Sequence, residues 1–335
     1  MQRRASTAVL VFSPEGKRQP DFETLMQEDD LTKAFPDTAK TFYRIVKTRE
    51  DVRDCSTEEI YTKILLGQIG ELDIAFDVTP KLATILLAYA YGVAAAPTGT
   101  NPYTHQIDEL PVGEYQPAPF GLIFGFKGVA NPLHLRGCTI NSLVFESSAR
   151  KKVTATANIK FAEGVAATGF TLPACLNEVP LRFSDCQLLK GATNFTTAKT
   201  LRRFRYSFAN NLLTGDHAYP ADSHIPSRLE RADQRARSLS YAVLGDDKDT
   251  LYTQADAGHE ESFTLILGTG NNKATVNCPQ AIHELEGGGL TKDGEANETH
   301  IPVIATPESV AGNSHSPTNV VAVNSQSTAY LVASA

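Results

Sequence analysis

No apolar run in this sequence reaches the roughly 20 residues that a membrane-spanning helix requires. The longest, Ile85 to Ala96, contains Gly92. Behind Arg3 and Arg4 the apolar stretch Ala8 to Phe12 stops at Ser13-Pro14-Glu15-Gly16-Lys17. That is shorter than a signal-peptide core of about 7 to 15 residues, so no export signal is readable and a soluble chain without a membrane anchor is expected. Paired cysteines are missing as well. Cys55, Cys138, Cys175, Cys186 and Cys278 lie far apart, odd in number, with no C-x-x-C and no His at zinc-finger spacing. Reduced, mostly buried thiols are expected, not a disulfide framework or a metal site. An excess of positive charge is also lacking. With 31 Lys and Arg against 38 Asp and Glu, the net charge of -7 excludes a uniformly basic, phosphate-grasping surface.

Signatures of catalysis are equally thin. His283-Glu284-Leu285-Glu286 begins like a zinc-peptidase helix, but no second His follows four residues after the first, and Gly287-Gly288-Gly289 breaks any helix; a solvated loop is the better reading. Gly268-Thr269-Gly270-Asn271-Asn272-Lys273 lacks the third glycine and following helix of a dinucleotide fingerprint and the Gly-Lys-Ser/Thr of a phosphate loop, and reads as a hairpin turn. Ser223-His224 near Asp222 has no nucleophile elbow around it. Asn194-Phe195-Thr196 and Asn297-Glu298-Thr299 match glycosylation acceptors but carry no weight without a secretory route. No catalytic, cofactor-binding or metal-binding residue is assigned, and no enzyme is expected.

What is present is strand pattern. In Glu71 to Val78, Leu72, Ile74, Phe76 and Val78 share one face and Glu71, Asp73, Ala75 and Asp77 the other, the period of a half-buried strand with an acidic exposed face. Pro80 then opens a segment with Leu82, Ile85, Leu86 and Tyr89 at helical spacing and Gly92 just past its end, which predicts one amphipathic helix with a glycine stop. Residues 96 to 119, broken by five prolines, read as one long loop, a common site of partner contact. Strands resume at 122 to 126, 138 to 146 and 153 to 161, the last two joined by a hairpin connection, and again at 201 to 208, 238 to 244, 262 to 267, 273 to 277 and 320 to 324. The expected fold is mainly β, an elaborated sandwich or barrel with one helix and long loops. Three regions are expected: an arm over 1–58, a β domain over 59–285, elaborated or duplicated, and an extension over 286–335.

Arg202, Arg203 and Arg205, with Arg228, Arg231, Arg235 and Arg237, could form a nucleic-acid groove, since Phe204, Tyr206 and Phe208 are interleaved. At period 2, however, those aromatics face away from Arg203 and Arg205 and read as core. Arginine suits interfaces because its planar fork binds carboxylates bidentately. Arg203, Arg205, Arg228, Arg231 and Arg235 are therefore subunit-interface candidates, together with Tyr103, His105 and Tyr115 from the proline-rich segment.

The order of Gly67-Gln68-Ile69-Gly70-Glu71-Leu72-Asp73-Ile74-Ala75-Phe76, the helix with Gly92, Pro102-Tyr103-Thr104-His105, Arg136-Gly137-Cys138-Thr139-Ile140-Asn141-Ser142-Leu143 and Asn210-Asn211-Leu212 resembles the major tail tube proteins of long-tailed bacteriophages. The resemblance runs from about residue 60 to 280; the arm and the end after 290 match less well. It implies a β-sandwich with a flanking helix, hexameric rings stacked into a hollow tube, and a lumen through which double-stranded DNA passes without sequence-specific binding. It also implies partners: further copies of the chain, the tape-measure protein, the tail terminator, and baseplate or tail-tip proteins. The implied location is the virion tail, assembled in the host cytoplasm. For the lumen lining, Glu71, Asp73 and Asp77 are the candidates, because like charge keeps phosphates from adhering; the alternative for the same residues is a solvated outer face. Two other classes compete: a receptor- or carbohydrate-binding β-sandwich, and an all-β hydrolase, for which the eight His show no grouping in sequence.

Overall fold

The computed structural model describes residues 8–36, 42–53, 60–111, 113–126, 131–173, 178–215, 218–220, 223–231, 235–244, 260–285, 291–292, 299–307 and 317–334. Strands β1 (Ala8–Phe12), β2 (Lys33–Pro36), β3 (Phe42–Arg53) and β4 (Ile60–Asp77) precede helix α1 (Pro80–Tyr91). There follow β5 (Gly92–Ala94), β6 (Tyr103–Glu109), β7 (Phe120–Phe126), β8 (Leu133–Ser148), β9 (Thr154–Phe161), β10 (Glu163–Ala166), β11 (Cys186–Lys190) and β12 (Thr193–Asn194). The chain continues through β13 (Leu201–Ala209), β14 (Ala236–Leu244), β15 (Glu260–Thr269), β16 (Asn272–Leu285), β17 (Thr291–Lys292), β18 (Thr299–Pro307) and β19 (Asn319–Asn324). The fold is mainly β and the ladders between these strands are antiparallel, as the alternation predicts.

Two sheets share β8. Its first half pairs with β7 and β10, and β7 continues to β1 and β2. Its second half lies between β9 and β13 in a larger sheet that runs β3-β4-β9-β8-β13-β14-β18-β16-β15-β11. Gly137, at φ +62, marks the change of sheet; a Cβ there would come 2.7 Å from the Phe22 ring, so only glycine fits the close approach. The first half of β16 also pairs with β19, which brings β6 and β5 with it.

Helix α1 forms where its signals predict. Thr79 Oγ1 accepts from Leu82 N at 3.2 Å, Pro80 occupies the first turn, and Gly92 closes the helix in the left-handed region at φ +96. It is not amphipathic, however. Leu82 through Tyr91 are all buried, because Ala83, Ala88 and Ala90 fill the faces between the large residues and let strands pack closely around them. The polar atoms are satisfied: Tyr89 OH donates to Lys17 O at 2.7 Å, and Thr84 Oγ1 to Pro80 O at 3.0 Å. Tyr89 stacks on Phe120 and Tyr91 on Phe208, tying the helix to both sheets.

Several segments differ from the sequence reading. The long loop over 96–119 contains β6, whose ladder partners β5 and β19 lie on either side of it. His283 to Leu285 continue β16 and pair with β18, so that stretch is strand and not loop. Strands β1 to β3, from the expected arm, and β19, from the expected extension, are hydrogen-bonded into the same sheets as the middle of the chain. Thr269 pairs with Asn272 across the expected hairpin turn. Cys138, Cys186 and Cys278 are buried free thiols; Cys55 and Cys175 lie outside the described residues.

Candidate assembly and channel surfaces

The alternation of β4 fixes one broad surface. Leu72, Ile74, Phe76 and Val78 are buried, which turns Asp73, Ala75 and Asp77 outward. Register then aligns rows across four strands: Asp77-Thr154-Glu146-Arg205, Ala75-Thr156-Val144-Ser207 and Asp73-Asn158-Ser142-Ala209. Small and hydroxylated side chains dominate this surface.

Its expected acidic character is corrected by the neighbouring strands, which bring cations to the carboxylates. Glu71 is itself buried. It accepts from Arg44 Nε at 2.6 Å, Lys160 Nζ at 3.1 Å and Asn158 Nδ2 at 2.9 Å. Burial pushes the Glu71 carboxyl up, but these three donors outweigh it and hold the group at about 2. Asp77 pairs with Lys152 at 2.7 Å, Asn158 donates to Asp73, and Arg205 approaches Glu146 at 3.4 Å. Charge is thus compensated at Glu71, Asp77 and Glu146, while Asp73 is held by a neutral amide.

At Glu71 the structure changes character. Toward Asp77, β4 is covered by β9; toward Ile60, its ladder partner is β3. Gln68 N is still held, by His224 O at 2.9 Å, but beyond it β3 and β4 form a two-stranded ribbon. Residues 44 to 49 are exposed in succession, so neither face of this stretch of β3 is covered. Three large apolar side chains lie in the open there: Ile45 (41% exposed), Val46 (42%) and Leu66 (50%). Leu66 is the extra residue of a bulge between the Thr48-Gly67 and Arg49-Leu65 pairs. Among the described residues β3 pairs with β4 alone, leaving a long edge of backbone donors and acceptors.

The interface candidates divide. Arg205 is exposed and Arg203 stands beside it on the same outward face. Arg228 is exposed and pairs with Glu230 at 3.3 Å. Tyr115 is exposed, and the Arg231 guanidinium lies 5.3 Å from its ring centre. Tyr103 is half-buried. Three others are turned inward. His105 is fully buried under the edge of Tyr330, with Nε2 at 3.0 Å from Gln326 O. Arg231 donates to Pro111 O at 2.9 Å, and Arg235 to Leu110 O at 2.7 Å and to Glu109. The carboxylate that Arg235 meets belongs to its own chain.

Glu109 is the centre of a cluster that the sequence reading missed. Arg237 Nε donates to it at 2.8 Å, Thr318 N at 3.2 Å, and Thr318 Oγ1 bonds it as well. Tyr91 OH donates to Thr318 Oγ1 at 2.9 Å and meets Tyr206 OH at 2.6 Å. Burial raises the Glu109 carboxyl, but Arg237, Thr318 and Arg235 prevail and keep it ionised, below the usual carboxylate range. The available signal was period 2: Glu109 is in phase with buried His105 and Ile107, and Arg235 with Arg237. Nearby, Asn210 explains half of the Asn pair. Its buried side-chain N donates to Ala90 O at 3.0 Å and Ile140 O at 2.9 Å, joining the last turn of α1 to β8.

Among the described residues no three His, Cys, Asp or Glu gather as a metal site, and Asp222 lies outside them. Comparison with known proteins gives no matching family model and no matching curated sequence.

Proposed function

We propose that this chain is a structural subunit that self-assembles into stacked rings forming a hollow phage tail tube, the conduit for genome delivery. The observation that carries the reading is the β3–β4 ribbon: a twelve-residue edge strand with Ile45 and Val46 uncovered, and Leu66 uncovered on the strand beside it. On an isolated monomer such an edge is a liability; in a ring it is the means of joining the next copy by strand addition. The outward face of β4, β9, β8 and β13 supplies a lumen lining. Its compensated charges and small hydroxyl side chains leave few free cations to hold DNA by counterion release.

Negative-stain electron microscopy over a concentration and salt series tests the assembly, with hollow tubes or stacked rings expected; particles that stay monomeric under every condition count against it. For the lumen, Asp73→Lys with Asp77→Lys is the cleaner probe, because Glu71 also holds the sheet together. Intact tubes with slower DNA ejection are expected, and unchanged ejection kinetics remove this face from the lumen.

A further inference from the structure

The two ends of strand β8 differ in charge. At its C-terminal end the tip of the β8–β9 hairpin and the start of β13 line a groove of about 620 Å³, with Lys151, Lys152, Arg203 and Arg205 against Asp77 and Glu146. Ala149 N donates to Arg202 O at 2.8 Å and Arg202 Nη1 to Lys199 O at 3.3 Å, which sets exposed Arg150 and Lys199 beside the same groove. The carboxylates are already answered, Asp77 by Lys152 at 2.7 Å and Glu146 by Arg205 at 3.4 Å. Arg150, Lys151 and Lys199 enter no ion pair among the described residues, so this end keeps an excess of positive charge on a chain whose net charge is -7. Val179, 81% exposed, stands at the same end, just before Leu181, whose N–H donates to Val78 O at 2.7 Å.

At the other end a groove of about 790 Å³ carries the opposite charge. Asp21, Glu23 and Glu114 line it, and among the described residues Arg18 is the one cation of its lining, with its guanidinium turned to Gln19 O at 3.3 Å. Tyr115, next to Glu114, is 42% exposed. Arg136, in the first half of β8, donates to Glu23 O, whereas Ser147 and Ser148 line the basic groove, so about 40 Å of extended chain separates the two. Helix α1 spans the same interval: Asp77 stands just before its first turn, and Gly92, which closes it, lines the acidic groove.

We infer that the basic end of one copy docks on the acidic groove of the next, a head-to-tail contact between successive ring layers. A contact between two different surfaces of the same chain is heterologous and repeats without closing, which yields a stack. The inference rests on the tube reading, in which the β3 ribbon closes each ring and these ends join one ring to another. DNA suits the basic end less well. Asp77 and Glu146 stand among its cations and the chain as a whole is acidic, so a continuous polyanion meets repulsion that a compact acidic groove does not.

The test is sedimentation velocity with negative-stain electron microscopy on the full chain, at about 0.1 M and about 1 M salt, between which the screening length falls from about 10 Å to about 3 Å. Stacks at low salt that separate into intact rings at high salt are expected. Lys151→Glu with Lys199→Glu, or Glu23→Lys with Glu114→Lys, should weaken end-to-end association about tenfold, and the four changes combined should restore it, because the reversed ends match again. All four side chains are exposed, so unchanged thermal melting separates loss of docking from loss of fold. Rings that stack regardless of these charges, or a combined variant that stays dispersed, overturn the inference and leave the tube reading standing; a wild type that does not self-associate at low salt overturns both. A short DNA duplex is run as a separate probe, and duplex binding that is lost in Lys151→Glu with Lys199→Glu while stacking persists overturns the inference in favour of nucleic acid.

Discussion

Glu109 and Glu71 are each held by two cations, but the first lies inside the body and the second at the root of the ribbon. Glu109 is 1% exposed and joins β6, β14 and the segment before β19, three pieces of chain far apart in sequence. Glu71 is 10% exposed and joins β3, β4 and β9 through Arg44 and Lys160. The same chemistry thus does two jobs: one cluster closes the core, and the other anchors the hairpin that leaves it. Burial sets how much each contributes, since charges removed from water depend wholly on their partners while half-exposed ones retain solvent.

The comparison is tested most strongly at Glu109. Replacing it with Gln leaves the Arg235 and Arg237 guanidinium groups buried without a countercharge, and a loss of about 3–5 kcal/mol is expected from the denaturant midpoint. A loss below about 1 kcal/mol would place Glu109 with the surface pairs. Glu71 comes next. Its folded value of about 2 lies below the ordinary 4.5 of an unfolded chain, so its stabilisation is complete above 4.5 and is lost as pH falls through 4.5 toward 2. The full shift sets a ceiling of about 3 kcal/mol, and with Arg44 half exposed about 1–2 kcal/mol is expected. In Glu71→Gln the stability-against-pH curve should be flatter than wild type over that window, and identical slopes would show that the cluster does not anchor the ribbon. The smallest effect belongs to Asp77 and Lys152, whose side chains are 27% and 60% exposed. Lys152→Ala should shift stability by no more than about 0.5 kcal/mol, and a larger loss would break the dependence on burial.

Local pattern carried much of the fold. The 153–161 strand, the second half of β4 and the caps of α1 were legible because alternation, Thr79-Pro80 and Gly92 act within a few residues. Strand β3 was not legible, since exposure on both faces removes the alternation by which strands are recognised. Strand β6 was hidden among prolines that flank it without entering it, and its partner β19 comes from more than 200 residues later. The helix read as amphipathic from the spacing of Leu82, Ile85, Leu86 and Tyr89, whereas Ala83, Ala88 and Ala90 between them are buried as well. At each cluster only one half was visible: Glu71 without Arg44 and Lys160, and Arg235 and Arg237 without Glu109. Lys160 reaches Glu71 across 89 residues and Arg237 reaches Glu109 across 128, separations that only the sheet order closes.

The difference between a closed body and an open ribbon underlies the proposed assembly. Electron microscopy of the wild type beside an Ile45→Glu, Leu66→Glu double variant, at equal concentration, tests it most directly. Both side chains are exposed in the monomer, so the variant should keep its circular dichroism and denaturant midpoint within about 0.5 kcal/mol. The expected result is rings or tubes from the wild type and dispersed, folded monomers from the variant; tubes from both, or from neither, would contradict the account.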